Sequence, residues 1–222
     1  MEVIYQKIDP QFKKFIKKKY LKIKNLLDIE QKKINYINTY HHLWNNNDSD
    51  EFIEHIKNQY LLDTNKLLSF GFISAPINCD NQFFHIDYDG NTNTYFIPLI
   101  DIDETNGTEF LEFNDKYYNI DILDKYISKN DIIDELNKLE ITPNNYNFKY
   151  LNCNKWSLAY LPYYCLHRGR QNNGITNRVM FQMVFYKDNI CEYNIPEEIY
   201  YNDAELDEYK EKILENRKKI NI

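Results

Sequence analysis

Two histidines, an aspartate and an arginine carry the chemistry that can be read from this chain. His85-Ile86-Asp87 sets an imidazole and a carboxylate two residues apart. On a β-strand such residues project from the same face, with Ile86 on the other. Farther on, His167 offers a second imidazole, and Arg178 follows it eleven residues later. Two imidazoles and one carboxylate form the ligand set that leaves one face of a six-coordinate iron(II) open. A guanidinium can hold a carboxylate by two parallel hydrogen bonds. His85, Asp87 and His167 are therefore the expected metal ligands and catalytic residues, and Arg178 is the expected clamp.

Arg178 stands at the head of a strongly apolar run, Val179-Met180-Phe181-Gln182-Met183-Val184-Phe185. A guanidinium drawn into such a strand needs a partner, because a buried unpaired charge costs about 3–5 kcal/mol. That partner is either one of the 34 Asp and Glu residues or a dicarboxylate cosubstrate. Arg168 and Arg170 are rivals for the clamp, but they lie in the turn Arg168-Gly169-Arg170-Gln171-Asn172-Asn173-Gly174 and are expected to be exposed. Glycine is scarce, with only five in the chain, and four of them (Gly90, Gly107, Gly169, Gly174) lie around these residues.

The elements that must position this chemistry follow from the hydrophobic pattern. From about residue 68, short apolar and aromatic runs alternate with turn residues. Expected strands are 67–77, 82–87, 94–102, 109–113, 148–152, 156–161 and 179–186, with His167 at the end of the strand that begins at Trp156. Many short strands with turns between them suggest a sandwich or jelly roll. Pro98 marks an edge or a bulge in its strand. Before this region, Phe12, Phe15, Ile16, Tyr20, Ile23, Leu26 and Leu27 recur at three- and four-residue steps after Pro10, predicting a helix from 10 to about 43. Its other face carries Lys13, Lys14, Lys17, Lys18, Lys22 and Lys24, a solvated face or a surface for an anionic membrane or acidic partner. A second helix is predicted over 49–62, one more inside the strand region at about 120–139, and a charged C-terminal helix at 196–219. The whole is read as one domain: a helical N-terminal flank over 1–66, a β-barrel core over 67–187 with a helical insert at about 118–140, and a helical extension over 188–222.

Composition sets limits. The 222 residues suffice for a sizeable core, and aromatic residues make up 16% of them. A net charge of −7 argues against a general nucleic-acid binder. Cys79, Cys153, Cys165 and Cys191 show no paired spacing, so neither a zinc ribbon nor a disulfide framework is expected. The first residues lack an apolar signal segment and no stretch is long enough to span a bilayer, so a cytoplasmic, reducing location is the expectation.

Together, Gln82-x-x-His85-x-Asp87, the strand after it, Asn106-Gly107-Thr108-Glu109-Phe110, His167 and Arg178 resemble the iron(II)- and 2-oxoglutarate-dependent oxygenases. The layout is closest to the phytanoyl-CoA dioxygenase-like branch, over about residues 70–187. The resemblance implies a mainly β fold, a double-stranded β-helix (a jelly-roll or cupin-like barrel) with helices packed outside. It implies iron(II) on His85, Asp87 and His167, with 2-oxoglutarate as cosubstrate, its far carboxylate on Arg178. Gln82 and Gln182 are the further expected cosubstrate contacts, Gln182 because it shares a strand face with Arg178. The implied reaction consumes O2, releases succinate and carbon dioxide, and hydroxylates a small-molecule or peptide substrate. Related halogenases lack the carboxylate ligand, so Asp87 points to hydroxylation.

Two departures from that pattern stand out, beside a second resemblance. Glu112-Phe113-Asn114-Asp115 replaces a Gly-Ser-His segment often seen in the branch, so an acyl-CoA substrate is not carried over. Met180 stands where a small hydroxyl residue often helps hold the cosubstrate. His85-Ile86-Asp87-Tyr88 also resembles the prolyl hydroxylases, which usually place lysine where Arg178 stands. A prolyl-hydroxylase-like protein-modifying oxygenase, a non-catalytic cupin-like binding protein and an interaction module working through its basic helix stay open beside the main reading. Asp101 to Glu112 superficially resembles a calcium loop, but the glycine is one place late and the flanks read as strands. His41, His42 and His55 have no second ligand at metal spacing and read as surface or helix-end residues. Cys165, two before His167, reads as a small apolar filler rather than a nucleophile.

Overall fold

In the computed structural model, residues 1–5, 7–33, 40–45, 67–79, 81–87, 92–114, 128–162 and 165–186 are described. Nine strands and two helices lie among them: β1 (Glu2–Tyr5), α1 (Pro10–Lys33), β2 (Tyr40–Asn45), β3 (Leu67–Ala75), β4 (Thr92–Pro98), β5 (Thr108–Phe113), α2 (Lys129–Lys138), β6 (Tyr146–Tyr150), β7 (Leu158–Leu161), β8 (His167–Gly169) and β9 (Arg178–Tyr186). The helices predicted over 49–62 and 196–219 fall outside the described residues, as does the first part of the insert.

Every strand pairing is antiparallel. Six strands form one sheet in the order β1-β7-β4-β9-β3-β2, and three form another in the order β6-β5-β8. Strands β3 and β9 are buried along nearly their whole length, which is why both read as continuous apolar runs instead of alternating ones. Alternation still sorts their side chains. Phe70, Phe72, Phe181, Met183 and Phe185 face α1, which returns Phe12, Phe15, Ile16 and Ile23. Phe181 anchors this layer, its ring edge-on to Phe12 at 6.0 Å and to Phe72 at 5.2 Å. The opposite face of the same strands meets the small sheet through Ile73, Phe96, Phe110, Leu161, Cys165 and Met180. Beyond the small sheet, Phe84, Leu111, Tyr146 and Leu166 pack on Ile132 and Leu136 of α2. Ser128 and Asp131 close a reciprocal capping box at the start of that helix.

Several expected boundaries move. The helix predicted to residue 43 ends at Lys33, and Tyr40–Asn45 is a strand along the edge of β3. Its aromatic, β-prone residues complete the hydrogen bonds of that edge, which outweighs any helical continuation. His41 and His42 therefore lie on a strand, not at a helix end. The expected strand from Trp156 does not reach His167: β7 ends at Leu161, and His167 begins β8 in the other sheet. Trp156 itself sits in a left-handed turn, φ 70°, ahead of β7, with Lys13 of α1 over its indole. Pro98 is the last residue of β4, a central strand, and neither an edge nor a bulge position. At a strand end its missing N–H removes no internal ladder bond. The lysine face of α1 is turned outward, as Lys14, Lys17, Lys18 and Lys24 are exposed. No helix of the described residues is long and apolar enough to cross a membrane.

Candidate metal and anion site

The two histidines are brought together by the backbone. His85 donates its N–H to the carbonyl of His167 at 2.9 Å, and His167 returns a bond of 2.9 Å to the carbonyl of His85. A mutual antiparallel pair of this kind presents both side chains on one face. The ring centroids lie 4.5 Å apart. The strand expected over 82–87 is thus reduced to a short pairing at Phe84 and His85, with Asp87 just beyond it. Asp87 still converges: its Oδ1 stands 3.6 Å from Nε2 of His85 and 3.6 Å from Nε2 of His167. Thr94 of β4 donates its hydroxyl to Oδ2 at 3.1 Å, leaving Oδ1 turned toward the imidazoles.

Each imidazole is oriented from behind. Nδ1 of His85 lies 2.9 Å from the carbonyl of Phe83, and Nδ1 of His167 lies 3.0 Å from that of Cys165. A carbonyl only accepts, so the proton sits on Nδ1 and the Nε2 lone pair points at the common centre. Burial pulls the His167 pKa down to about 4, against the attraction of Asp87, which keeps this ring neutral and able to ligate. The three ligand atoms lie within 4.8 Å of one another, so His85, Asp87 and His167 form a group able to hold a metal ion. Among the described residues it is the one such group. The acidic turn at 101–107 is held internally: Asp103 Oδ1 accepts from the N–H and hydroxyl of Thr105, and Asp101 accepts from Lys155 N.

Arg178 is 1% exposed and has no carboxylate within ion-pair distance among the described residues. Its Nη1 donates to three backbone carbonyls, those of Asn106 (2.5 Å), Gly107 (3.1 Å) and Arg170 (3.2 Å). Its Nε is buried without a partner. Burial lowers its pKa to about 10, against a Coulombic interaction with Cys79, and at that value the guanidinium stays charged at neutral pH. The free edge, Nε with Nη2, is the side-on fork that suits a carboxylate.

The other expected contacts fall nearby. Gln82 is stitched to β8, its N–H donating to Gly169 O at 2.8 Å and its Oε1 accepting from Gly169 N at 2.7 Å. A Cβ at Gly169 would stand 2.6 Å from that Oε1 and 3.0 Å from Arg178 Nη2, so glycine keeps the space between them open. Gln182 lies buried on the inner face of β9, between Gly71 of β3 and Phe96 of β4, with its Oε1 unpartnered. The fifth glycine therefore also borders this region. Met180 lies in the apolar layer between the sheets.

The rival arginines are engaged elsewhere. Arg168 binds the buried Glu109 through Nε at 2.8 Å and Nη2 at 2.6 Å, and Lys129 of α2 reaches the same carboxylate at 2.5 Å. Burial pushes the Glu109 carboxyl up, but these two cations outweigh it and hold the pKa below its ordinary value. Arg170 lies over the ring of Tyr150 at 4.5 Å. Cys165 is an apolar filler, its thiol pushed up to about 11 by burial. Sequence reasoning missed Thr94, because nothing marks a strand threonine as the partner of an aspartate seven residues earlier.

A scan against protein-family models finds no match, and a search of curated proteins finds none either. Solved structures do match. HygX from Streptomyces hygroscopicus, determined with nickel and 2-oxoglutarate bound, aligns over 86% of this chain and 84% of its own, at TM-score 0.53 and 10% identity. AviO1 from Streptomyces viridochromogenes Tue57 aligns over 86% of this chain and 90% of its own, at TM-score 0.51 and 9% identity. SnoK, a non-heme alpha-ketoglutarate-dependent carbocyclase from nogalamycin biosynthesis, aligns at TM-score 0.43 and 13% identity over 55% of this chain, which spans about half (49%) of that protein. At such identities the likeness is one of fold, and a neighbour with that fold carries a metal and 2-oxoglutarate.

Proposed function

We propose that this chain is an iron(II)- and 2-oxoglutarate-dependent oxygenase of the phytanoyl-CoA dioxygenase-like branch, built on a double-stranded β-helix and hydroxylating a small molecule. The observation that carries this reading is Arg178, a buried guanidinium with an open two-donor edge and no carboxylate to meet it among the described residues. Leaving that charge unpaired costs about 3–5 kcal/mol, a cost an incoming carboxylate removes. The metal group lies close by, because His167 and Gly169 share β8 and a Cβ at Gly169 would stand 3.0 Å from Arg178 Nη2. A ligand anchored on Arg178 by one carboxylate can extend its other end toward His85, Asp87 and His167.

In this reading the two imidazoles and Asp87 hold the metal, and Thr94 fixes the carboxylate rotamer. The carbonyls of Phe83 and Cys165 fix the imidazole tautomers. When bound, iron(II) with 2-oxoglutarate and O2 supplies the oxidising chemistry, yielding succinate, carbon dioxide and an oxygen atom for a substrate C–H bond. Gln182 and Gln82 place amide groups beside the cosubstrate's path, in the absence of the hydroxyl that Met180 replaces. Arginine at the clamp favours this branch over the prolyl-hydroxylase-like alternative. The likeness of fold to HygX supports the assignment.

The test is an anaerobic calorimetric titration of 2-oxoglutarate into the protein, with and without Mn(II) in place of iron(II). Binding that requires the metal is the expected result. No binding in folded, Mn(II)-loaded protein would reduce the chain to a barrel that holds a metal without this cosubstrate.

A further inference from the structure

The guanidinium of Arg178 has more than one edge on which it could receive an anion. Which edge it offers is decided by Nη1, and Nη1 is held by a loop far from it in sequence. Two of its three carbonyl acceptors are consecutive, Asn106 and Gly107. Consecutive carbonyls converge on one donor only in a tightly turned backbone, and this turn has a visible cause. The Asn106 side chain bonds back on both sides: its Oδ1 accepts from Asp103 N at 3.0 Å and its Nδ2 donates to Asp101 O at 3.1 Å. Asn106 is buried, so water does not replace these bonds readily. Gly107 then permits the close approach, since a Cβ there would stand 2.5 Å from Asp103 O and 2.8 Å from Leu151 O. The third acceptor, Arg170 O, is tied to the same turn, because Arg170 N donates to Gly107 O at 3.3 Å.

We infer that Asn106 is a positioning residue of the anion site: it folds the 101–107 turn so that its carbonyls immobilise Nη1, leaving Nε and Nη2 of Arg178 as the edge that receives the ligand's distal carboxylate. This rests on the cosubstrate reading above and adds a residue that acts only through Arg178. Without the Asn106 side chain the two carbonyls lose their direction, and Nη1 is released. The fork can then rotate away, and recognition of the distal carboxylate weakens. The metal group, assembled by β8 and the 84–87 segment, does not depend on that turn.

Two ligands separate this role from general support of the fold: 2-oxoglutarate, and 2-oxopentanoate, which has the same chain length and keto acid end but no distal carboxylate. Both are titrated anaerobically into Mn(II)-loaded protein. In Asn106→Ala, 2-oxoglutarate is expected to weaken by about tenfold or more, the worth of one charge-assisted hydrogen bond. Affinities for 2-oxopentanoate and Mn(II) stay unchanged. Asn106→Asp, which keeps the acceptor for Asp103 N, loses less. Equal weakening of both keto acids, an unchanged 2-oxoglutarate affinity, or loss of Mn(II) binding in both variants would overturn the positioning role. Wild-type protein that takes up neither keto acid would instead overturn the cosubstrate reading, and this inference with it.

Discussion

Strand β9 has two sides with opposite characters. Its odd residues, Val179, Phe181, Met183 and Phe185, join α1 and β3 in an apolar layer built largely of aromatic rings. Its even residues include Arg178 and Gln182, buried yet each left with an unpartnered polar atom. Burial is nearly equal on the two sides, so exposure does not distinguish them. What differs is completeness. The outer side is satisfied by apolar packing, whereas the inner side holds a guanidinium Nε and an amide oxygen that have no partner among the described residues. Native interiors rarely leave such atoms unsatisfied, and in the proposed function the cosubstrate completes them.

Substitutions on β9 can break or sharpen that contrast. Phe181→Ala removes the ring at the centre of the aromatic layer and is expected to cost about 3–5 kcal/mol in denaturant unfolding, with 2-oxoglutarate affinity unchanged in the folded protein. Arg178→Met should behave in the opposite way. Losing two charge-assisted hydrogen bonds weakens 2-oxoglutarate by about a hundredfold or more, read by calorimetry with Mn(II). Stability should change less than in Phe181→Ala, since removing the desolvated charge offsets the donor that the carbonyls of Asn106, Gly107 and Arg170 lose. If Arg178→Met unfolds as readily as Phe181→Ala, the inner side is structural after all.

Smaller effects refine the picture. Asp87→Ala should lower Mn(II) affinity by roughly tenfold or more, and unchanged affinity would remove Asp87 from the ligand set. Gly169→Ala inserts a methyl against Gln82 and Arg178, so 2-oxoglutarate binding should weaken while Mn(II) binding stays close to wild type. The smallest effect concerns pH. Glu109 has a lowered pKa in the folded protein, so its contribution to stability is present above the ordinary carboxylate value and declines as pH falls through the folded one. Glu109→Gln should therefore flatten the acid side of a stability-against-pH curve. An unaltered acid limb would show that the Arg168 and Lys129 bonds do not stabilise the fold.

Much of the site could be read from residue types. An arginine heading an apolar strand is an expensive arrangement for a fold to bury without cause, and the His85-Ile86-Asp87 spacing gains weight only beside His167 and Arg178. The strand character of β9 was equally legible, and the two-residue period of a strand then places Gln182 on the face of Arg178. Other features were hidden because they depend on contacts between distant segments. The pairing of His85 with His167, the bond from Thr94 to Asp87 and the convergence of three carbonyls on Arg178 have no local signature. Residues 40–43 read as the end of a helix for the same reason, since the strand Tyr40–Asn45 exists only because β3 offers an edge.

The one-dimensional pattern settles which groups are present, their charge, and which neighbours share a strand face, because these follow from side-chain chemistry and the two-residue period. Direction is a different matter. Each imidazole is turned by a carbonyl two residues before it, but the oxygen Asp87 turns inward is set by a hydroxyl from β4, and the edge Arg178 leaves open by the carbonyls of Asn106, Gly107 and Arg170. Hydrogen bonds are directional and act over about 3 Å. Only chain folding brings the 83–87, 101–107 and 165–178 segments within that reach.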